Sequence, residues 1–160
     1  MPSSVDPRAL DTGMLALFVG FAASGHVQEQ LAARGHGDLR FSHGYVFQHL
    51  IDAQPTVGEL AAELEMTQQG ASKTVAELER LGYTERAPDP RDARVRRVRL
   101  TARGREAVEA SRQARAELEE RLAARFGEGR LAEHRELLAE LLQELGGTAV
   151  VRARRVRPPR

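Results

Sequence analysis

Residues 56–104 read TVGELAAELEMTQQGASKTVAELERLGYTERAPDPRDARVRRVRLTARG, and the order of local signals in this stretch decides the fold. Thr56-Val57-Gly58-Glu59 is a capping box: the Thr56 hydroxyl accepts from the backbone amide three residues on while Glu59 reaches back. It predicts a helix from about residue 57 that carries Leu60, Ala61 and Leu64 inward. Met66-Thr67 interrupts it, and Thr67 is suited to cap a second helix that runs to Leu81, where Gly82 supplies the left-handed residue that ends it. Two short helices across a tight turn make a helix-turn-helix. Beyond them Tyr83 to Arg86 reads as extended, Pro88-Asp89-Pro90-Arg91-Asp92 is turn chemistry, and Val98 and Leu100 alternate with Arg97 and Arg99. That is a β-hairpin with a basic outer face, and its place directly after the second helix predicts a winged helix.

Working outward, Leu10, Met14, Leu17, Phe18 and Phe21 follow helical spacing, which extends through Val27 and Leu31 to a Gly-rich break at 34–38. Residues 41–53 read as a second helix stopped by Pro55. After the hairpin, Thr101 caps a long helix with Val108, Ser111, Ala114, Leu118, Leu122 and Phe126 on one face, broken at Gly127 and Gly129. A last helix carries Leu131, His134, Leu138, Leu141 and Leu145 in steps of three and four, widened by Leu137 and Leu142. So broad a stripe predicts packing against another helix or a second subunit. The expected fold is mainly α with a small β-hairpin wing. The expected organisation is a flexible arm (1–9), N-terminal helices (10–54), a winged helix-turn-helix (55–101), C-terminal helices (102–146) and a basic tail (147–160) with too few apolar residues to order itself.

The 160 residues include no cysteine, which removes disulfides, thiolate metal clusters and a cysteine nucleophile. With 41% hydrophobic and 29% charged residues the chain has the means to bury a core. Its apolar runs are too short to span a bilayer and no signal peptide is evident, so a cytoplasmic protein without membrane contact is expected. The formal net charge of +1 is unevenly spread: residues 80–105 hold nine basic and three acidic side chains, residues 1–79 four and ten, and the tail from 146 five arginines and no acid. A basic segment on an otherwise acidic body suits a polyanion partner, and a solvated arginine-rich hairpin reads the same way from charge alone.

Within the basic segment, Asp92 to Thr101 fits the pattern D-x-R-x-x-x-V-x-L-T at every fixed position, and with the preceding helices it resembles a MarR-family winged helix-turn-helix. The resemblance covers about 50 residues. It implies a homodimer formed by the first and last helices, binding of double-stranded DNA at a palindromic operator, and a small-molecule effector that relieves binding, as in a repressor. Without tryptophan the chain lacks a residue characteristic of the family's urate-responsive members, and without cysteine it does not resemble its peroxide sensors.

On the fourth helix Ala71, Val75 and Leu78 are spaced to face inward, leaving Thr67, Gln68, Gln69, Ser72, Lys73 and Ala76 on the outer side of its first turns, the part that enters the major groove. Glutamine suits adenine, while Lys73 and Thr67 suit a guanine edge or a phosphate. In the hairpin, Arg94 resembles the family arginine that inserts into the minor groove, with Asp92 expected to orient its guanidinium by a charge-assisted hydrogen bond. Arg91, Arg96, Arg97 and Arg99 are candidates for phosphate, with strand alternation turning about half of them away. The tail arginines Arg152, Arg154, Arg155, Arg157 and Arg160 read either as a further arm for DNA or as unconstrained chain. Without such an outer face the same fold would serve as a protein-docking or dimerisation module, which would expose aromatic and aliphatic side chains there instead.

Phe18, Phe21, Phe41, His43, Tyr45, Phe47 and His49 are candidates for the lining of an effector pocket, although residues of this kind are more often plain core. Histidines at 26, 36, 43, 49 and 134 show neither an HxH nor an HExxH spacing, and no nucleophile elbow or phosphate loop is present. Metal, cofactor, catalytic residues and enzymatic activity are therefore not expected.

Overall fold

The computed structural model describes residues 6–153. In chain order its elements are α1 (Thr12–Leu31), α2 (His43–Leu50), α3 (Val57–Glu63), α4 (Gln68–Arg80), β1 (Thr84–Pro88), β2 (Arg96–Leu100), α5 (Ala102–Phe126), α6 (Glu128–Glu144) and α7 (Thr148–Arg152). The fold is mainly helical with one two-stranded antiparallel hairpin, a winged helix flanked by long N- and C-terminal helices.

The starts of α3, α4 and α5 each follow from a threonine. Thr56 caps α3 in a complete capping box: its hydroxyl accepts from the Glu59 amide at 3.1 Å and the Glu59 carboxylate accepts from the Thr56 amide at 2.7 Å. Thr67 caps α4 and Thr101 caps α5, each accepting at 3.1 Å from the glycine three residues on. Gly82 has φ of +81°, the left-handed turn that releases the chain from α4 into β1. In the hairpin Thr84 pairs with Leu100 and Pro88 with Arg96. The free edge of β2 is extended by the segment before α3, whose Pro55 carbonyl accepts from the Val98 amide at 2.8 Å.

The core joins α2, α3, α4, the hairpin and the start of α5 through Phe47, Leu50, Leu60, Val75, Leu78, Val98 and Leu100. Tyr83, fully buried at 0% exposure, stands where these elements meet. Its hydroxyl donates to Asp38 at 2.5 Å and accepts from Arg103 at 3.0 Å, and His36 Nδ1 lies 3.3 Å away. Burial alone would raise the Asp38 pKa, but the Tyr83 hydrogen bond and the Arg103 charge outweigh it and hold the carboxyl below its ordinary value. The Tyr83 carbonyl accepts from the Thr101 amide at 3.0 Å, and a β-carbon added at Gly104 would fall on that same carbonyl oxygen. The root of α5 is thus pressed against the turn into β1.

Several elements depart from the expected boundaries. Residues 7–9, inside the segment read as a flexible arm, form a 3-10 turn capped by Asp6. The break expected at 34–38 is present: after α1 the chain passes through a π-helical turn at residues 32–36 and leaves helical geometry at Gly35, with φ of +86°. α2 is shorter than residues 41–53 at both ends, and ahead of its start Arg40 donates its backbone amide to the His43 ring at 3.1 Å. On α5 the buried face is Gly104, Ala107, Ala110 and Ala114; of the expected stripe Ala114 is fully buried and Val108 packs against the core, while Phe126 is exposed. Small residues allow α1 to come close, so Val27 and Leu31 pack on Ala110 and Ala114, and Arg34 grips the Glu117 carboxylate with two hydrogen bonds at 2.8 and 2.9 Å. Residues 148–152, read as part of an unordered tail, form α7. No residue of α6 is buried, and its leucine stripe ends at Leu145, 82% exposed.

Two outcomes test this hub. Gly104→Ala should cost about 3 kcal/mol or more, since backbone rather than a movable side chain occupies the space, and urea unfolding will measure it. Burial and the hydrogen bond to Asp38 push the Tyr83 pKa up to about 12 from 10.0. The native state then favours the neutral phenol, so its contribution is intact below pH 10 and is lost as pH rises towards 12. With one lysine, two tyrosines and no cysteine in the chain, few other groups titrate in this window. Denaturation followed across it should show a fall in stability that Tyr83→Phe flattens.

Candidate nucleic-acid interface

The helix-turn-helix presents two different faces because α4 buries Ala71, Val75 and Leu78 at steps of four and three. Gln68, Gln69, Lys73 and Ala76 are exposed and Ser72 is half-buried. None of the four polar side chains has a hydrogen bond or ion pair among the described residues. Thr67 is exposed too, but its hydroxyl is engaged as the helix cap. The outward set is therefore polar and unpartnered, and its one cation is Lys73.

In the wing the arginines separate into two groups. Asp89, only 6% exposed, is the anchor: it accepts from the Arg91 amide at 2.8 Å and takes a close hydrogen bond from Arg97 Nε. These two hydrogen bonds hold its carboxyl below the ordinary range. Arg97 also donates to the Gln54 carbonyl at 2.9 Å and lies 3.5 Å from Glu59, so its guanidinium ties the wing root to the start of α3. Its Nε and Nη1 are thus engaged within the chain, and the side chain is only 24% exposed, less open to a DNA backbone than Arg94 or Arg96. Arg99 likewise donates to Glu85 at 2.8 Å. By contrast Arg94 and Arg96 are exposed and have no partner among the described residues, and Arg91 projects into solvent with 87% exposure, its Nε 3.8 Å from Asp89.

Asp92 acts on Arg94, but through the backbone. Its carboxylate accepts from the Arg94 amide at 3.0 Å and its carbonyl from the Val95 amide at 3.0 Å, a tight turn that shapes the tip. The expected contact to the Arg94 guanidinium is absent, because the turn brings the Arg94 amide to the carboxylate and leaves the side chain pointing outward. Of the tail arginines, Arg152 is exposed on α7 and the other four lie outside the described residues.

Beside the winged helix, α1, α2 and α5 enclose a cavity of about 800 Å³. Phe41, His43, Tyr45 and Phe47 line it, as expected of a pocket. Phe18, Phe21 and His49 do not: the two phenylalanines are on the exposed outer part of α1, and the buried His49 Nε2 has no partner among the described residues. Sequence reasoning missed the contributions of α5 and of Arg40, which follow from packing rather than from any local signal. Among the described residues no group of three or more histidine or acidic side chains is placed to hold a metal ion. Nor, among them, is any helix long and apolar enough to cross a membrane.

The model of the MarR family matches residues 38–95, from the loop before α2 to the tip of the wing. No curated protein matches the sequence. Solved structures with the same fold include a point mutant of MepR from S. aureus, 21% identical with a TM-score of 0.68 over 85% of this chain and 99% of that one. They also include a second point mutant of S. aureus MepR bound to an oligodeoxyribonucleotide (23% identity, TM-score 0.60, 85% and 99% covered) and S. aureus MepR bound to ethidium bromide (21%, 0.63, 86% and 99%). Wild-type apo MarR from E. coli is 24% identical with a TM-score of 0.61 over 83% of this chain and 98% of that one.

The Asp89–Arg97 pair generates a prediction that separates wing architecture from wing contacts. Arg97→Ala should lower the melting temperature by a few degrees, whereas Arg94→Ala should leave it within a degree of wild type. Because the Asp89 pKa is lowered in the folded state, its contribution is present above the ordinary carboxylate value of 3.8 and is lost as pH falls below it. Arg97→Ala should therefore also shrink the acid-induced loss of stability, as thermal melts at stepped pH will read.

Proposed function

We propose that this MarR-family winged-helix chain is a homodimeric transcriptional regulator that binds a palindromic operator and represses by occluding a promoter. The observation that carries the reading is the pairing of an unpartnered polar face on α4 with unpartnered arginines at the tip of the wing that follows it. Gln68, Gln69, Ser72 and Lys73 offer hydrogen bonds to base edges, with the Thr67 hydroxyl shared between its cap and a phosphate. Arg94 serves the minor groove, and Arg91 and Arg96 the phosphates, with Asp92 as the residue that shapes the tip.

A second copy of the chain completes the assembly. The first half of α1 exposes Met14, Leu15, Leu17, Phe18, Val19 and Phe21, and the C-terminal helices expose Phe126, Leu137, Leu142 and Leu145. A lone soluble chain rarely leaves so much contiguous apolar surface in water. In this reading residues 10–54 and 102–146 hold the dimer and residues 55–101 bind DNA. The cavity beneath takes a small-molecule effector that relieves repression, as the ethidium complex of MepR suggests, and the protein works in the cytoplasm without a cofactor.

Fluorescence anisotropy against DNA from upstream of the chain's own gene, with a scrambled duplex as control and salt stepped from about 50 to 200 mM, tests the reading. Wild type should keep its preference for the native duplex as salt rises. Arg94→Ala should weaken binding and reduce the salt slope by about one, while Gln69→Ala or Lys73→Ala should cost about 1 to 3 kcal/mol and relax base preference. Equal, steeply salt-sensitive binding to both duplexes would leave only a basic surface. No binding at all would favour a protein-docking module.

A further inference from the structure

Lys73 is the single lysine of the chain, against 23 arginines, and it stands exposed on the outward face of α4. The difference between the two cations is chemical. A guanidinium keeps its proton throughout the physiological range and is a poor nucleophile, whereas an ammonium can release a proton and uncover a nitrogen lone pair. Chemistry that acylates side-chain amines therefore has one target in this sequence, and that target is the one cation of the outward set on α4. Its surroundings leave it open. Gly70, three residues back, has no side chain and Ala76, three residues on, only a methyl group, so neither reaches up beside the amine. Gln69, four residues back, is neutral. Glu77, four residues on, is the carboxylate of α4 spaced to pair with Lys73, but it takes a close hydrogen bond from the Arg40 guanidinium ahead of α2, and the buried His43 ring nitrogen lies 3.7 Å from it. The natural partner of the ammonium is thus engaged elsewhere, and Lys73 has no hydrogen bond or ion pair among the described residues.

We propose that Lys73 is a site of covalent modification by an acyl phosphate, and that its acylation switches off the DNA-reading face. The amine attacks the carbonyl carbon of the acyl phosphate. A C–N bond forms, the C–O bond to the phosphate breaks, inorganic phosphate leaves with the bonding electron pair, and the proton released by nitrogen passes to water. The amide product is neutral, so the outward set loses its one cation and the charge-assisted hydrogen bonds that an ammonium gives, and it gains an acyl group where a base edge or a phosphate would lie. An arginine at this position would be inert to the same reagent. Lysine here makes DNA binding answer to the supply of activated acyl groups, with no change elsewhere in the fold. The inference rests on the DNA-regulator reading above.

Treatment of the full chain with acetyl phosphate tests it, with peptide mass spectrometry to locate the modification and anisotropy on the native duplex to read affinity. The free chain should take one side-chain acetyl group, on Lys73, and the native duplex should slow that reaction several-fold more than the scrambled duplex at the same concentration. The acetylated chain should bind the native duplex about tenfold more weakly, with a salt slope smaller by about one and an unchanged melting temperature. Lys73→Arg, whatever its own affinity, should be unaltered by the same treatment, which separates the side chain from the α-amine. A Lys73 that stays unmodified where a synthetic peptide of residues 68–80 is fully acetylated would overturn the site. Acetylation with undiminished affinity, an equal loss in treated Lys73→Arg, or a loss that follows a fall in melting temperature would each overturn the switch. A wild type that does not distinguish the two duplexes would instead bring down the regulator reading itself, and that failure shows before any acetyl phosphate is added.

Discussion

The buried hydroxyl of Tyr83 is the contact on which the rest of the structure depends. A phenol sealed from water must find its hydrogen-bond partners inside the protein, and it finds three, on segments far apart in sequence. Asp38 and His36 come from the loop that follows α1, Arg103 from the first turn of α5, and the tyrosine itself from the start of the hairpin. Arg103 also stacks over the ring with its guanidinium carbon 4.6 Å from the centroid. One side chain therefore sets where the N-terminal helices, the wing and the long C-terminal helix stand with respect to one another. Because Gly104 brings the α5 backbone against the carbonyl of the same residue, the junction has little room to relax.

From this junction the basic hairpin is built as two layers. Charge alone suggests a uniform row of arginines, yet Arg97 and Arg99 hydrogen-bond to acidic partners within the chain, Arg91 keeps only a loose ion pair with Asp89, and Arg94 and Arg96 have no partner among the described residues. The inner pair gives the outer group a fixed base. Asp89 does this for the wing root and Asp92 for the tip, both by accepting from a backbone amide two residues on. An acidic residue within a basic segment thus has a role that does not involve its net charge: it sets the path of the backbone from which the arginines project.

Features held by local chemistry were legible in the sequence. Thr56, Thr67 and Thr101 each announce a helix, Gly82 announces a stop, and the spacing of Ala71, Val75 and Leu78 orients α4, because each signal acts within four or five residues. The fate of Arg97 was not legible in this way. Its partner Asp89 lies eight residues away and meets it only once the hairpin register places Ala87 opposite Arg97. The Pro-Asp-Pro turn was a readable hint that Asp89 would be tied to its own loop, but nothing local said which arginine would join it. The cavity was half legible for a related reason. The apolar content of α1 is so evenly spread that periodicity could not say that Val27 and Leu31 face inward while Phe18 and Phe21 face out. That choice is made by the alanine face of α5, and alanines carry almost no weight in a hydrophobic pattern. Glu77 looked like one more charge on a solvated helix, and its pairing with Arg40 is visible only in three dimensions.

The length of α5 gives the molecule a mechanical property. Its 25 residues make a rod of about 37 Å, clamped at one end by the winged core and free of it along most of its course. A rigid rod converts angle into distance: a tilt of about 5° at the clamped root displaces the far tip by about 3 Å. With the far tip held by a second copy, the same tilt would instead swing the winged core by that amount. The helix that separates the two ends of the protein is in this sense its gear ratio: a small tilt at its root corresponds to a shift comparable to the rise of one base pair.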